Sequence, residues 1–145
     1  MNVKLTGKEK RWIMYDVGNS AFALLVSTII PIYFNYLAGK AGISSVNYLA
    51  YWGYAASICT IIVALLGPVC GTLADTKGFK KPVFIISILI GSIACAMLGA
   101  CVQWLVFLIV FVIAKIGFSS SLIFYDSMLV DVTDEKRMDY VSSQG

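Results

Sequence analysis

The sequence predicts an all-α integral membrane protein with four transmembrane helices and a cytoplasmic N-terminus. Of its 145 residues, 59% are apolar and only 13% are charged, and the mean hydropathy is +0.85. A soluble domain carries about 25% charged residues and could not bury this much apolar surface in so small a fold. The apolar residues form four stretches, each near the roughly 20 residues that cross a bilayer. These observations exclude an ordinary soluble enzyme, a disordered chain and a nucleic-acid binder.

Apolar spans alternate with short polar segments along the chain. In order, the segments are a cytoplasmic basic tail (1–11), a first span (12–37), an outer loop (38–46), a second span (47–74), a cytoplasmic loop (75–81), a third span (82–101), an outer turn (102–103), a fourth span (104–130) and a cytoplasmic segment (131–145). Because the outer turn is so short, the third and fourth spans are predicted to form a tight antiparallel pair.

The first span follows a basic tail, an arrangement that is also typical of a signal peptide. Its apolar run is longer than the 7–15 residues of a signal-peptide core, and it contains Asp16 and Asn19. We therefore interpret the first span as a transmembrane helix that is retained.

The basic residues set the orientation, because Lys and Arg are enriched on the cytoplasmic side of a membrane. With the N-terminus inside, nine basic residues lie on the cytoplasmic side and only Lys40 lies outside, while Lys115 falls within a span. The nine are Lys4, Lys8, Lys10 and Arg11 in the tail, Lys77, Lys80 and Lys81 in the loop, and Lys136 and Arg137 in the last segment.

Small residues recur every three or four positions in the second and third spans, and such stripes allow helices to pack closely in lipid. They are Gly53, Ser57, Thr60, Ala64, Gly67 and Gly71 in the second span, and Ser87, Gly91, Cys95 and Gly99 in the third. Both helices are therefore expected to have neighbours. The third span contains no charge, which is typical of a helix at the lipid-facing periphery.

The composition also limits the chemistry of the chain. It has no histidine, and its four cysteines fall within the spans without disulfide or zinc-site spacing. We interpret these cysteines as small apolar packing residues. The sequence thus predicts no enzymatic activity, no cofactor and no metal.

Lys115 is the most unusual residue of the sequence, because it lies near the centre of the fourth span. A lysine at the bilayer centre costs about 2.5–3.5 kcal/mol, and its side chain is too short to reach either surface. It must face water, an acid or an anionic ligand, and a structural ion pair within the bundle is the alternative to a functional role. Asp126 is about 16 Å further along the helix axis, so this chain offers no obvious partner.

Other polar residues of the first and fourth spans predict a shared water-filled cavity. Asp16 lies on a small, polar face of the first span, with Asn19 beside it, and Lys115, Ser119 and Asp126 share a face of the fourth. For the two aspartates, a structural role at the membrane interface remains an alternative.

The cytoplasmic loop carries a motif of glycine and charged residues, namely Gly71, Asp75, Gly78, Lys80 and Lys81. This spacing resembles the signature loop between helices 2 and 3 of the major facilitator superfamily. Thr76 and Phe79 occupy positions where that motif has basic residues. In the superfamily the loop belongs to the cytoplasmic gate, and the resemblance implies the same for these residues.

Two further segments resemble the autophagy-related vacuolar effluxer-like branch of that superfamily. They are Tyr-Asp-Val-Gly-Asn-Ser-Ala-Phe at 15–22 and Phe-Tyr-Asp-Ser-Met-Leu at 124–129; residues 141–145 are similar to the approach to helix 5. The resemblance implies the first third of a twelve-helix fold, in which helices 1 and 4 line the central cavity and further C-terminal helices complete the transporter.

The resemblance implies a secondary active transporter of small solutes that works by alternating access in the plasma membrane of a prokaryote. Vacuolar members of the branch are linked to amino-acid efflux, so amino acids are a candidate solute. The residues expected to contact solute or coupling ion are Asp16, Asn19, Lys115, Ser119 and Asp126. The expected partners are the lipid bilayer, the solute and the remaining helices, with no nucleic acid.

Two other functions are compatible with the residues. The chain could be a self-contained four-helix exporter that dimerises, although Asp16 lies too near the interface for the deep carboxylate of such proteins. It could also be a truncated or structural membrane subunit that transports nothing.

Overall fold

The protein is helical throughout the part that the structure describes. This computed structural model describes residues 5–76 and 78–143, so Lys4, Lys77, Gln144 and Gly145 lie outside the described residues. Seven helices occur in these ranges, namely α1 (Gly7–Ser27), α2 (Ile29–Lys40), α3 (Ser45–Asp75), α4 (Lys80–Leu98), α5 (Trp104–Ser127), α6 (Leu129–Val132) and α7 (Glu135–Ser142). The α1–α2 pair, α3, α4 and α5 are each long and apolar enough to cross a membrane, which confirms the all-α membrane fold.

The first helix begins within the basic tail, before the predicted start of the first span. Thr6 is its N-cap: the Thr6 hydroxyl accepts a hydrogen bond from the Glu9 N–H, and the Glu9 carboxylate accepts one from the Thr6 N–H. This reciprocal capping box satisfies two N–H groups that a helix end otherwise leaves without partners. The tail residues after Thr6 therefore belong to the same helix as the start of the first span.

The first span is not one continuous helix, because it breaks at Thr28 between α1 and α2. Pro31 has no N–H, and its ring crowds the carbonyl four residues earlier, at Ser27. The hydroxyls of Ser27 and Thr28 donate hydrogen bonds back to the carbonyls of Ala23 and Leu24. The Leu24 carbonyl also accepts from the Thr28 N–H, so these hydroxyl groups add a second donor to carbonyls of the last turn of α1, and their own polar groups are satisfied within the helix.

The helix α5 lies at the centre of the described bundle, in contact with both α3 and α4. It contributes more buried side chains than any other described helix, namely Phe107, Leu108, Val110, Phe111, Ala114, Ser120, Ser121, Phe124 and Tyr125. By contrast, α4 buries one face and leaves large apolar side chains such as Ile85, Ile86 and Ile93 exposed. This one-sided burial fits the peripheral position that its lack of charge predicts.

The backbones of α4 and α5 meet at two glycines. A Cβ atom placed on Gly117 would lie 2.8 Å from the Gly91 nitrogen and 2.9 Å from the Gly91 Cα. A Cβ on Gly91 would lie 3.0 Å from the ring of Phe118. Gly91 belongs to the small-residue stripe of the third span, whereas its partner Gly117 was not singled out by the sequence analysis.

The small-residue stripe of the second span does not form the buried face of α3. The buried residues of this helix are Ala55, Cys59, Cys70 and Ala74, and Gly53, Ser57 and Thr60 are exposed. Within the described residues α3 packs on α5 through a different set of small side chains, and Thr60 and Ala64 of the stripe border a cleft beside that contact. The exposed part of the stripe remains available to lipid or to other helices.

The glycine contact predicts that Gly117→Ala destabilises the protein. The added methyl group meets backbone atoms, which cannot rotate away, and overpacking of this kind costs about 1–3 kcal/mol. The control is Gly53→Ala, since a Cβ at Gly53 meets nothing within 4 Å and alanine raises helix propensity there by up to about 1 kcal/mol. Thermal unfolding in detergent measures both, and equal stability of the two variants would contradict the packing.

Candidate functional site

Lys115 lies at the middle of α5, about 17 Å along the axis from one end and about 18 Å from the other. Its side chain is half-buried, and its ammonium lies 6.0 Å from the centroid of the Phe111 ring. The ion pairs found among residues 5–76 and 78–143 are Lys80–Asp131 and Glu9–Arg137, so no carboxylate in these ranges pairs with Lys115. The charge is therefore available to a group from outside the described chain.

Lys115 and Ser119 line a cleft between α3 and α5, which we call the midplane cleft. The cleft has a volume of about 290 Å³ and is also lined by Cys59, Thr60, Val63 and Ala64. Pro68 lies inside α3 and has no N–H for the carbonyl of Ala64. The midplane cleft thus combines the side chains of Lys115, Ser119 and Thr60 with Ala64, a residue whose carbonyl lacks its usual helical donor.

The aspartates Asp16 and Asp126 lie at a second level, nearer the predicted cytoplasmic end of the bundle. The ring of Trp12 stacks on Tyr125 at 4.3 Å, and the Trp12 Nε1–H donates to the Tyr125 carbonyl at 3.2 Å. The Tyr15 hydroxyl also hydrogen-bonds the Ser121 hydroxyl. Asp16 directly follows Tyr15, and Asp126 directly follows Tyr125. The contacts of the two tyrosines therefore bring the two aspartates to the same level along the bundle. Asp126 is exposed.

The candidate residues therefore form two groups rather than one. Lys115 and Ser119 lie in the midplane cleft, whereas Asp126, at the level of Asp16, lies about 16 Å from Lys115 and about 10 Å from Ser119 along the helix axis. Asn19 lies one turn above Asp16 on α1 and is half-buried. The residues that line the midplane cleft come from α3 and α5, whereas Asp16 and Asn19 lie on α1.

In the signature loop, one lysine makes the contacts that join it to the rest of the chain. The Lys80 ammonium donates to Asp131 Oδ2 at 2.7 Å and to the Ser127 carbonyl at 3.2 Å. Gly78 has a φ of +91°, a left-handed conformation that glycine adopts without steric cost. The loop and Asp131 surround a hollow of about 470 Å³, lined by Ala74, Asp75, Thr76, Gly78, Lys80, Lys81 and Asp131.

A buried carboxylate that sequence reasoning missed joins the start of the chain to its last described helix. The side chain of Glu9 is only 2% exposed. Its Oε2 accepts hydrogen bonds from the Thr6 N–H at 2.6 Å and from Arg137 Nη2 at 3.1 Å, and its Oε1 accepts one from the Thr133 hydroxyl at 2.8 Å. A buried charge needs such compensation, so we call this group the Glu9 clamp.

The comparisons with known proteins cover most or all of the chain. A family model described as vacuole effluxer Atg22 like matches residues 40–139. Over 148 aligned residues, the chain is 40% identical to the uncharacterized MFS-type transporter YxiO of Bacillus subtilis (strain 168). That alignment includes all of this chain and 35% of the relative, so the chain spans about one third of the relative's length. No solved structure matches the chain.

The signature-loop contacts predict different effects for two adjacent lysines. Lys80→Ala removes an ion pair and a hydrogen bond to a carbonyl, which should lower the free energy of unfolding by about 1 kcal/mol, because the pair is partly exposed. Lys81→Ala removes an exposed side chain with no hydrogen bond or ion pair to the described residues, so its effect should stay within about 0.5 kcal/mol. Thermal unfolding in detergent measures the stability of both variants. Equal losses of stability would contradict the contacts assigned to Lys80.

Proposed function

The chain belongs to the vacuole effluxer Atg22-like family, and from that membership we propose that it is part of a secondary active transporter that moves small solutes by alternating access. The MFS-type relative supports this proposal, because its sequence is similar along the whole of this chain. Secondary transporters bind substrate near the bilayer midplane between their two halves. Lys115 lies at this depth, and its position is the observation that carries the proposal.

We assign Lys115 to the anionic group of the solute. The cost of a lysine at the bilayer centre, about 2.5–3.5 kcal/mol, is offset when a carboxylate binds it. Ala64 and Ser119 line the same cleft, and the carbonyl of the first and the hydroxyl of the second could receive a second, donating group of the solute. An amino acid has both groups, so amino-acid efflux is the specific activity that we propose.

We assign roles to the other predicted site residues according to their level along the bundle. Asp16 and Asn19 on α1, together with Asp126 on α5, would form the cytoplasmic part of the solute cavity. Asp75, Lys80 and Lys81 would form part of the cytoplasmic gate, with Gly71 and Gly78 shaping the loop that carries them. In this proposal the N-terminus and the signature loop face the cytoplasm of a prokaryotic cell.

The proposal predicts that Lys115→Ala lowers transport at low solute concentration to about a tenth or less while expression is unchanged. A charge-assisted hydrogen bond contributes about 1.5–3 kcal/mol, so apparent affinity should fall by about 10- to 100-fold, and Lys115→Arg should retain part of it. The assay is counterflow of labelled amino acids and small carboxylates in vesicles from cells that express the complete gene product.

The matched control is Lys40→Ala, which removes a lysine from the other end of the bundle. Its ammonium lies over the Tyr36 ring at 4.9 Å and far from the midplane cleft. Normal transport by Lys115→Ala would refute the substrate role of Lys115, and equal losses in the two variants would point to a general effect of charge removal.

Alternating access predicts that solute changes the reactivity of a thiol in the midplane cleft. Ser119→Cys, in a protein whose native cysteines are replaced by alanine, should react with a small water-soluble maleimide at a rate that a transported solute alters. Ser45→Cys, in the exposed first turn of α3, should react at an unchanged rate. A Ser119→Cys rate that none of the candidate solutes alters would favour a membrane subunit without transport activity.

A further inference from the structure

A second cavity with a different chemistry lies at the cytoplasmic end of the bundle, between α1, α4 and the end of α5. We call it the basic–aromatic pocket. Its volume is about 360 Å³, which falls at the lower end of the range for small-ligand sites. The residues that line it are Lys8, Arg11, Trp12, Tyr15, Lys80, Lys81, Phe84, Tyr125, Met128, Asp131 and Val132.

The rim of the basic–aromatic pocket carries more positive charge than the protein neutralises. Four basic side chains face one carboxylate, that of Asp131, and Lys80 already binds this carboxylate at 2.7 Å. Lys8, Arg11 and Lys81 are exposed and have no hydrogen bond or ion pair to another residue in the described ranges. Three basic side chains thus line one cavity, and no carboxylate of the described residues forms an ion pair with any of them.

The floor of the pocket is aromatic and rigid. Trp12 and Tyr125 are 9% and 4% exposed, and their rings stack. Tyr15 packs between Tyr125 and Phe84, with ring centroids 4.7 Å and 5.1 Å away. Aromatic side chains with basic neighbours are typical of the level at which lipid headgroups lie.

The flank of the pocket is a helix that presents apolar side chains outward. Phe79 precedes α4, and Ile85 and Ile86 follow Phe84 on it, and all three are more than half exposed. A phosphate bound at the rim would therefore have apolar protein surface beside it on α4. A ligand with both a phosphate and acyl chains fits this arrangement better than a free phosphate ester does.

We propose that the basic–aromatic pocket binds the phosphate of an anionic membrane lipid. Lys8, Arg11 and Lys81 bind the phosphodiester, and the glycerol backbone of the lipid packs against the aromatic floor. The site is separate from the midplane cleft, so the proposal does not depend on which solute is transported.

Native mass spectrometry of the complete gene product tests the site, with phosphatidylglycerol and phosphatidylcholine added at equal concentration. We expect phosphatidylglycerol to be retained preferentially. Arg11→Gln and Lys81→Gln should each weaken its retention by about fivefold, the effect of one cation near an anionic membrane surface. Lys10→Gln is the matched control, because Lys10 is exposed on the same helix but does not line the pocket.

Unchanged melting temperatures show that the variants are folded, and if Arg11→Gln cannot be purified, Lys81→Gln alone carries the test. Equal retention of the two lipids would overturn the proposal. So would an equal loss with Lys10→Gln, because that result indicates diffuse attraction rather than a site. A parallel titration with glycerol 3-phosphate should show no comparable binding, and tight binding without a lipid preference would assign the pocket to a soluble phosphate ester.

Discussion

The contact between Gly91 and Gly117 is the constraint on which the described bundle depends. It brings the backbones of α4 and α5 so close that a single methyl group does not fit between them. Helices in lipid gain little from the hydrophobic effect and associate through such close packing. With α4 fixed against one side, α5 presents its other sides to α3 and α1. The midplane cleft and the contact between Trp12 and Tyr125 both follow from this placement of α5.

Much of the fold was predictable because its determinants are local. The length of an apolar stretch specifies a transmembrane helix without reference to the rest of the chain, and the four predicted spans are confirmed. The resemblance to a major facilitator transporter of the vacuolar effluxer-like branch, inferred from the signature loop and the two flanking motifs, is also confirmed. The capping box at Thr6 and the helix break before Pro31 also have local signals, although neither feature was predicted from the sequence.

The features that were missed depend on pairs that are distant in sequence. Lys115 could be identified as a candidate site residue without knowledge of its neighbours, because the cost of a charge in a membrane depends on how deep the residue lies in the bilayer. Asp131 contacts Lys80 across 51 positions, and the carboxylate of Glu9 contacts Thr133 and Arg137 across 124 and 128 positions. Nothing near these residues distinguishes them from ordinary charged residues of a membrane boundary. Likewise, a stripe of small residues shows that a helix can pack closely but does not identify its neighbour, which is why the buried face of α3 was not anticipated.

The Glu9 clamp has a consequence for the order of events during synthesis. Glu9 precedes its partner Arg137 by 128 positions. At about 5–20 residues per second, this carboxylate waits roughly 6–26 s before its cation exists, while the four spans enter the membrane. The clamp can close only after the fourth span is complete. It would therefore join the start of the first of these four spans to residues made after the fourth, and would close only once all four have been made.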